Sequence, residues 1–320
     1  MKRILANDGI DTKGKEMLEA AGFFVETQKA EQAILAQKIN DEQFDVLLVR
    51  SATKVRQDVI DACPGLKLIG RAGVGLDNID VKYANEKGIK VVNTPAASSQ
   101  SVAELVFAHL FGGVRFLHQS NHAMRNKGAS DFAGLKKVYS AGTELKDKTI
   151  GIIGFGRIGQ ATAKIAIGCG MKVLAYDPYI PTTELELELP MVSEPIKVKI
   201  DTTSLDEILK NSDFISLHVP GLVNGKAIIG AEEISKMKKG SAIVNAARGG
   251  VVDEQAIQEA LASNKLKFVA LDVFNNEPTP DEALLKNEKI SVSPHIGAAT
   301  DEAQERIGIE MAKQIIDFFA

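Results

Sequence analysis

The stretch KTIGIIGFGRIGQATAKIAIGCGMKVLAYDP, residues 148–178, constrains the chain more than any other. An apolar run ends at Gly154, glycines recur at Gly156 and Gly159, and a second apolar run ends in Asp177. Strand, glycine turn, helix, strand and acid describe a βαβ unit shaped for a dinucleotide. Gly154 permits the tight turn, Gly156 lets a pyrophosphate approach the backbone, and Gly159 allows close helix packing. The helix start at Arg157 and Ile158 offers unpaired amide hydrogens and a positive dipole end to the phosphates. Asp177 can accept from both hydroxyls of an adenosine ribose and would repel a 2′-phosphate, which selects NAD over NADP. The alternative is a βαβ unit whose glycines serve packing alone.

Elsewhere β-branched runs and amphipathic segments also alternate, as parallel sheets covered by helices require. KRILAND, FDVLLVRS, LKLIGRAG and KVVNTP form one series. TIGIIGFG, KVLAYDP, DFISLHVP, GSAIVNAARG, LKFVALDVF and KISVSPHIG form a second. The fold class expected is α/β, with two doubly wound parallel-sheet domains in succession. Between the two series, Ser101 and Glu104 have capping-box spacing, which predicts one long helix from about Ser101 to Arg125. A cleft between two such units is a natural ligand site.

Composition narrows the partners. The 320 residues carry a net charge of −4, which argues against nucleic acid as the main ligand. The most apolar long segment, VAELVFAHLFGGVRFL, contains Glu104, His109 and Arg115, so no membrane span is expected. The start lacks the apolar core of a signal peptide, and Cys63 and Cys169 read as free thiols, which together point to cytoplasm. No metal is expected. His118 and His122 have i, i+4 spacing but no acid or thiol to complete a site, so they read as a solvated helix face. His109 reads as a packed histidine, and His218, ending DFISLH, as lining a cofactor groove without proton chemistry.

Three strand ends carry candidates for chemistry: Arg248 in NAARGGVVDE, Glu277 in ALDVFNNEP and His295 in SVSPHIGAAT. Doubly wound sheets bind ligands at this edge. Arg248 can hold a substrate carboxylate in a planar fork. His295 can exchange the hydroxyl proton while hydride moves to or from nicotinamide. Taken singly, the arginine could be a loop ion pair, the glutamate a surface acid and the histidine a satisfied helix-start residue.

GFGRIG with Asp177, NAARGGVVDE, ALDVFNNEP and SPHIGAAT together resemble the D-isomer-specific 2-hydroxyacid dehydrogenases. LLVRSATKV, GRAGVGLDNID and NTPAASSQSVAEL extend the likeness to the amino-terminal half, towards the branch acting on phosphoglycerate. The resemblance implies a discontinuous flavodoxin-like substrate domain, 1–97 with 294–320, around a Rossmann domain, 98–293. Hinges near Pro95 and Pro294 would close the cleft between them. It implies Arg248 as the substrate-orienting arginine, Glu277 as the acid paired with the histidine, and His295 as general acid/base. Asp272 would receive the nicotinamide carboxamide. Val74, His218, Val219, Ala246, Ala247 and Gly297 would also touch the cofactor. The amides of Val74 and Gly75 would meet the substrate carboxylate, and Arg50 and Ser51 its phosphate end.

A homodimer joined through the nucleotide domains and the helix near residue 101 is also implied. Two departures stand out. HVPGLVNGKAIIG is shorter than the family pattern and lacks its threonines. NKGASDFAGLKKVYSAGTEL lacks the usual tryptophan and arginine, so Lys136 or Lys137 would supply the positive charge. One helix beyond His295 leaves no room for a regulatory domain, and serine feedback through one is not expected. The expected reaction is NAD-dependent oxidation of D-3-phosphoglycerate to 3-phosphohydroxypyruvate for serine biosynthesis. The alternatives are the same chemistry on glyoxylate, hydroxypyruvate or lactate, or an NAD-sensing interaction protein of this fold.

Overall fold

RILA, VLLV and LIGR put apolar side chains at consecutive positions, so both faces of each strand need cover. In the computed structural model, which describes residues 1–221 and 225–320, they get it. β1 (Arg3–Ala6), β2 (Phe24–Glu26), β3 (Val46–Val49), β4 (Leu68–Arg71) and β5 (Lys90–Asn93) make one sheet in the order β2-β1-β3-β4-β5. Every pairing in it is parallel. Along β3 the faces alternate: Leu47 and Val49 join Phe44 and Ile69, while Val46 and Leu48 join Leu68, Met311 and Ile315.

Those last two residues come from the helix Asp301–Phe319, capped by Thr300, whose hydroxyl accepts from Ala303 N–H at 3.2 Å. The helix presses against Thr12–Ala20 so closely that a Cβ at Gly14 would lie 2.6 Å from the Gly308 carbonyl carbon. Met1–Ser101 and Ala298–Ala320 thus form one unit, and Val102–Gly297 forms another.

In the second unit the strands are β6 (Thr149–Ile153), β7 (Lys172–Tyr176), β8 (Thr182–Leu187), β9 (Ile196–Asp201), β10 (Phe214–Leu217), β11 (Ser241–Asn245), β12 (Leu266–Leu271) and β13 (Ile290–Val292). Six of them form a parallel sheet ordered β13-β12-β11-β10-β6-β7. The order reverses between β6 and β10, which opens a crevice at their carboxyl ends. Strand order thus gives both units the doubly wound α/β architecture. β8 and β9 form an antiparallel hairpin that the sequence pattern does not predict. A single parallel bridge, Ala175 to Thr202, joins the segment after β9 to β7.

The single helix expected from Ser101 is two. Ser99–Val114 is followed by Leu117–Val138, with Phe116 between them at φ 55°, and this second stretch is itself broken at Asp131, φ −141° and ψ 45°. The break at Phe116 has visible causes. Thr143 N–H takes the Val114 carbonyl at 3.0 Å, and the Phe116 ring turns towards Tyr139 and Lys267. Ser101 lies inside the first turn rather than capping it. No helix among the described residues is long and apolar enough to cross a membrane.

Candidate active site

The glycine turn follows β6. Gly154 has φ +89°, and a Cβ there would lie 2.3 Å from the His218 carbonyl oxygen. Gly159 would meet the Gly154 oxygen at 2.2 Å. These two glycines are required by the protein's own packing. Gly156 is different: nothing lies within 4 Å of the position a Cβ would take. It also precedes the helix Arg157–Gly168 without any side-chain cap. Open space over uncapped amides at a helix start suits a pyrophosphate. Asp177 Oδ2 accepts from Phe155 N–H at 2.8 Å, and Oδ1 from Tyr179 and Ile180 N–H at 2.9 and 3.2 Å. The carboxylate therefore stands fixed at the end of β7, with acceptor capacity left on Oδ2 for a ribose hydroxyl. The residues present fit NAD.

His218 packs beneath this turn. Its Nε2 is 2.9 Å from Ser216 Oγ and 3.2 Å from Thr162 Oγ1, while Thr162 donates to the Ile158 carbonyl. Burial pushes its pKa down to about 3, so the ring is neutral. Val219 follows it, its side chain 3.1 Å from where a Cβ on Gly154 would lie. Leu222, Val223 and Asn224, in the middle of the segment expected to wall the adenine side, lie outside the described residues.

After β11, Asn245 shapes the turn that carries Arg248. Its Oδ1 accepts from Ala247 N–H at 3.1 Å and its Nδ2 donates to the Arg248 carbonyl at 2.8 Å. Ala246 and Ala247 lie within this clasp. Arg248 itself donates from Nη1 to the Ala247 carbonyl at 2.7 Å. Gly249 lies against the next loop, since a Cβ there would be 2.0 Å from the Phe274 oxygen.

That loop presents Glu277. Its Oε1 accepts from Phe274 N–H at 3.0 Å, and its Oε2 is 2.8 Å from His295 Nδ1. With Nδ1–H facing the carboxylate, the neutral ring keeps its lone pair on Nε2. Both side chains remain part-exposed, 36% and 42%. Asp272, only 1% exposed, gives Oδ1 to the Ser293 hydroxyl and Ile296 N–H, and Oδ2 to Gly297 N–H. It thereby grips both sides of His295.

Arg50, Ser51, Val74 and Gly75 belong to the first unit. Asp8 Oδ2 accepts from Arg50 and Thr53 N–H at 2.7 and 3.1 Å, and Asn78 Nδ2 donates to the Arg50 and Thr53 carbonyls, both at 2.7 Å. Asn93 donates to the Val74 carbonyl at 2.6 Å. Arg71 closes over Gly73, where a Cβ would collide with its guanidinium. Sequence reasoning misses Arg71, although an arginine ending a buried strand at the ligand edge is a usable signal. It also misses Asn245 and Asp8, whose short side chains announce nothing. Lys136 and Lys137 are exposed in the last turn of Leu117–Val138. His118 is exposed, as the solvated-face reading expects, but its Nε2 also lies 2.9 Å from Ser291 Oγ on β13. His122 contacts Asn126 at 3.0 Å.

Known proteins are similar to this chain in sequence and fold. A family model described as D-isomer specific 2-hydroxyacid dehydrogenase, NAD binding domain, matches residues 107–297. The chain belongs to the D-isomer-specific 2-hydroxyacid dehydrogenase family. Among family members, a hydroxypyruvate reductase of Thermotoga maritima is 44% identical over 98% of this chain and 97% of its own length. A D-3-phosphoglycerate dehydrogenase of Methanocaldococcus jannaschii is also 44% identical over 98% of this chain, which spans 57% of that relative. The NAD-bound 3-phosphoglycerate dehydrogenase structure of Entamoeba histolytica superposes with a TM-score of 0.77 at 31% identity, covering 100% and 95% of the two chains. This family member is accordingly an NAD-dependent dehydrogenase of D-2-hydroxy acids.

Proposed function

We propose that the chain oxidises D-3-phosphoglycerate to 3-phosphohydroxypyruvate, with His295 as the proton acceptor. The pairing of His295 with Glu277 carries the chemistry. Glu277 occupies Nδ1–H, so Nε2 takes the hydroxyl proton as the C2–OH becomes a carbonyl. Bound NAD supplies the two-electron acceptor for the hydride that leaves C2. Arg248 holds the substrate carboxylate and polarises the forming carbonyl. Gly156 and the Arg157 and Ile158 amides would hold the pyrophosphate, in a turn that Gly154 and Gly159 make possible by close packing, and Asp177 would receive the ribose.

Arg50 supports the phosphorylated substrate. Its Nε is buried without a hydrogen-bond partner, in a loop held by Asp8 and Asn78. An arginine on a main chain held at both its amide and its carbonyl, with a donor to spare and Ser51 next to it, suits a phosphate. The second reading, hydroxypyruvate reduction, is favoured by the Thermotoga relative, which matches this chain over nearly its full length. A second copy of the chain is the proposed partner, seated on Leu117–Val138, where Leu117, Met124, Phe132 and Val138 are exposed.

A substrate panel with NAD decides between the readings. Arg50→Ala should raise the KM for phosphoglycerate about tenfold or more while leaving an unphosphorylated acid nearly unaffected. Equal effects on both would remove the phosphate assignment. His295→Gln should lower kcat on every substrate by about 100-fold or more, with NAD affinity kept.

A further inference from the structure

Five side chains in Val102–Gly297 form one continuous hydrogen-bonded row. His118 Nε2 lies 2.9 Å from Ser291 Oγ, which is 2.8 Å from His109 Nδ1. His109 Nε2 is 2.9 Å from Ser293 Oγ, and Ser293 donates to Asp272 Oδ1 at 2.6 Å. That last contact fixes the sense of the rest. Ser293 gives its hydroxyl hydrogen to the carboxylate, so its oxygen accepts from His109 Nε2–H. His109 Nδ1 then carries a lone pair and accepts from Ser291, which in turn accepts from His118 Nε2–H. Burial lowers the His109 pKa, which favours the neutral ring, and the hydrogen bonds at its two nitrogens select the tautomer.

The row ends on the group that shapes the His295 turn. Asp272 holds Ser293 before the histidine and the Ile296 and Gly297 amides after it. Between them His295 adopts φ 55°, a left-handed conformation that a histidine keeps only when its surroundings enforce it. We propose that His109 is a positioning residue for the reaction: through Ser293 and Asp272 it holds the 293–297 turn and so aims the His295 ring. The proposal rests on reading His295 as the proton carrier. A general base must stand within hydrogen-bond reach of the proton it takes, and displacement by about 1 Å can cost on the order of 100-fold.

His109→Phe keeps the ring's bulk and removes both hydrogen bonds, while His109→Gln retains a donor and an acceptor. In the full chain without coenzyme, His109→Phe should speed hydrogen–deuterium exchange at Ile296 and Gly297 by about tenfold, leaving β6 unchanged. With NAD and a turned-over 2-hydroxy acid, it should lower kcat by about tenfold and move KM by less than about twofold. His109→Gln should recover most of both losses. Ser293→Ala should reproduce them, and the His109→Phe, Ser293→Ala pair should lose little more than either single change. Wild-type exchange and kcat in His109→Phe overturn the proposal. So does a lowered melting temperature with exchange at the two amides and kcat unmoved. If wild type itself turns over no 2-hydroxy acid, the active-site reading fails, and the exchange measurement alone decides whether His109 holds the turn.

Discussion

The imidazole of His218 lies among Thr162, Ser216 and the start of the helix Arg157–Gly168, with Nδ1 buried and unpartnered. With a folded pKa of about 3 against an ordinary 6.5, it titrates mainly in the unfolded chain. Its contribution to stability is whole above about pH 6.5 and drains away as acid loads the unfolded state down towards pH 3. His218→Gln removes that proton linkage. Urea midpoints of the two proteins should converge as pH is lowered from 7 to 5, and a constant gap would contradict this account. The histidines also mark what residue types disclose. The glycine turn could be read because each glycine answers a local need. The join of His109 to Ser293 spans 184 positions, and no spacing rule reaches across a fold.

At the scale of elements, the helices Thr12–Ala20 and Asp301–Phe319 touch main chain to main chain. Gly14 and Gly308 make that contact, so a larger side chain must force the helices apart. Gly14→Val should destabilise the protein by about 1–3 kcal/mol, measured by urea denaturation, because the Gly308 carbonyl group that its Cβ would meet at 2.6 Å is main chain and cannot rotate away. The strands of both parallel sheets were legible as apolar runs except β2, whose three residues, Phe24–Glu26, are too few to make one. The β8–β9 hairpin was not, because its outward positions carry Glu184, Glu186 and Lys197, paired across the strands. Only Leu185 and Ile200 enter the core from it, too few to register as a buried run. The helix break at Phe116 was hidden for another reason: its causes, Thr143 and Tyr139, lie outside the helix they interrupt.

For the whole molecule, the exposed side of Leu117–Val138 sets the assembly expected. Phe132 and Val138 are 63% and 65% exposed, an apolar surface that solvent alone does not favour. Sedimentation should show a dimer, and Phe132→Glu should shift it towards monomer by placing charge on the joined face. Family membership, cofactor and reaction type were readable from four ordered motifs. The substrate was not, because the loop of Arg50, the residue proposed to meet the phosphate, is set by Asp8 and Asn78, contacts that emerge only after folding.

The final helix covers Ile4, Val46, Leu48 and Leu68 on the first sheet. On the ribosome those side chains are made early and stay uncovered until the closing helix emerges. The compact unit Val102–Gly297 is made in full between the two parts of the first unit. Cover for that sheet face therefore comes from residues made after the whole of Val102–Gly297, so the first unit can close only once the second has been synthesised.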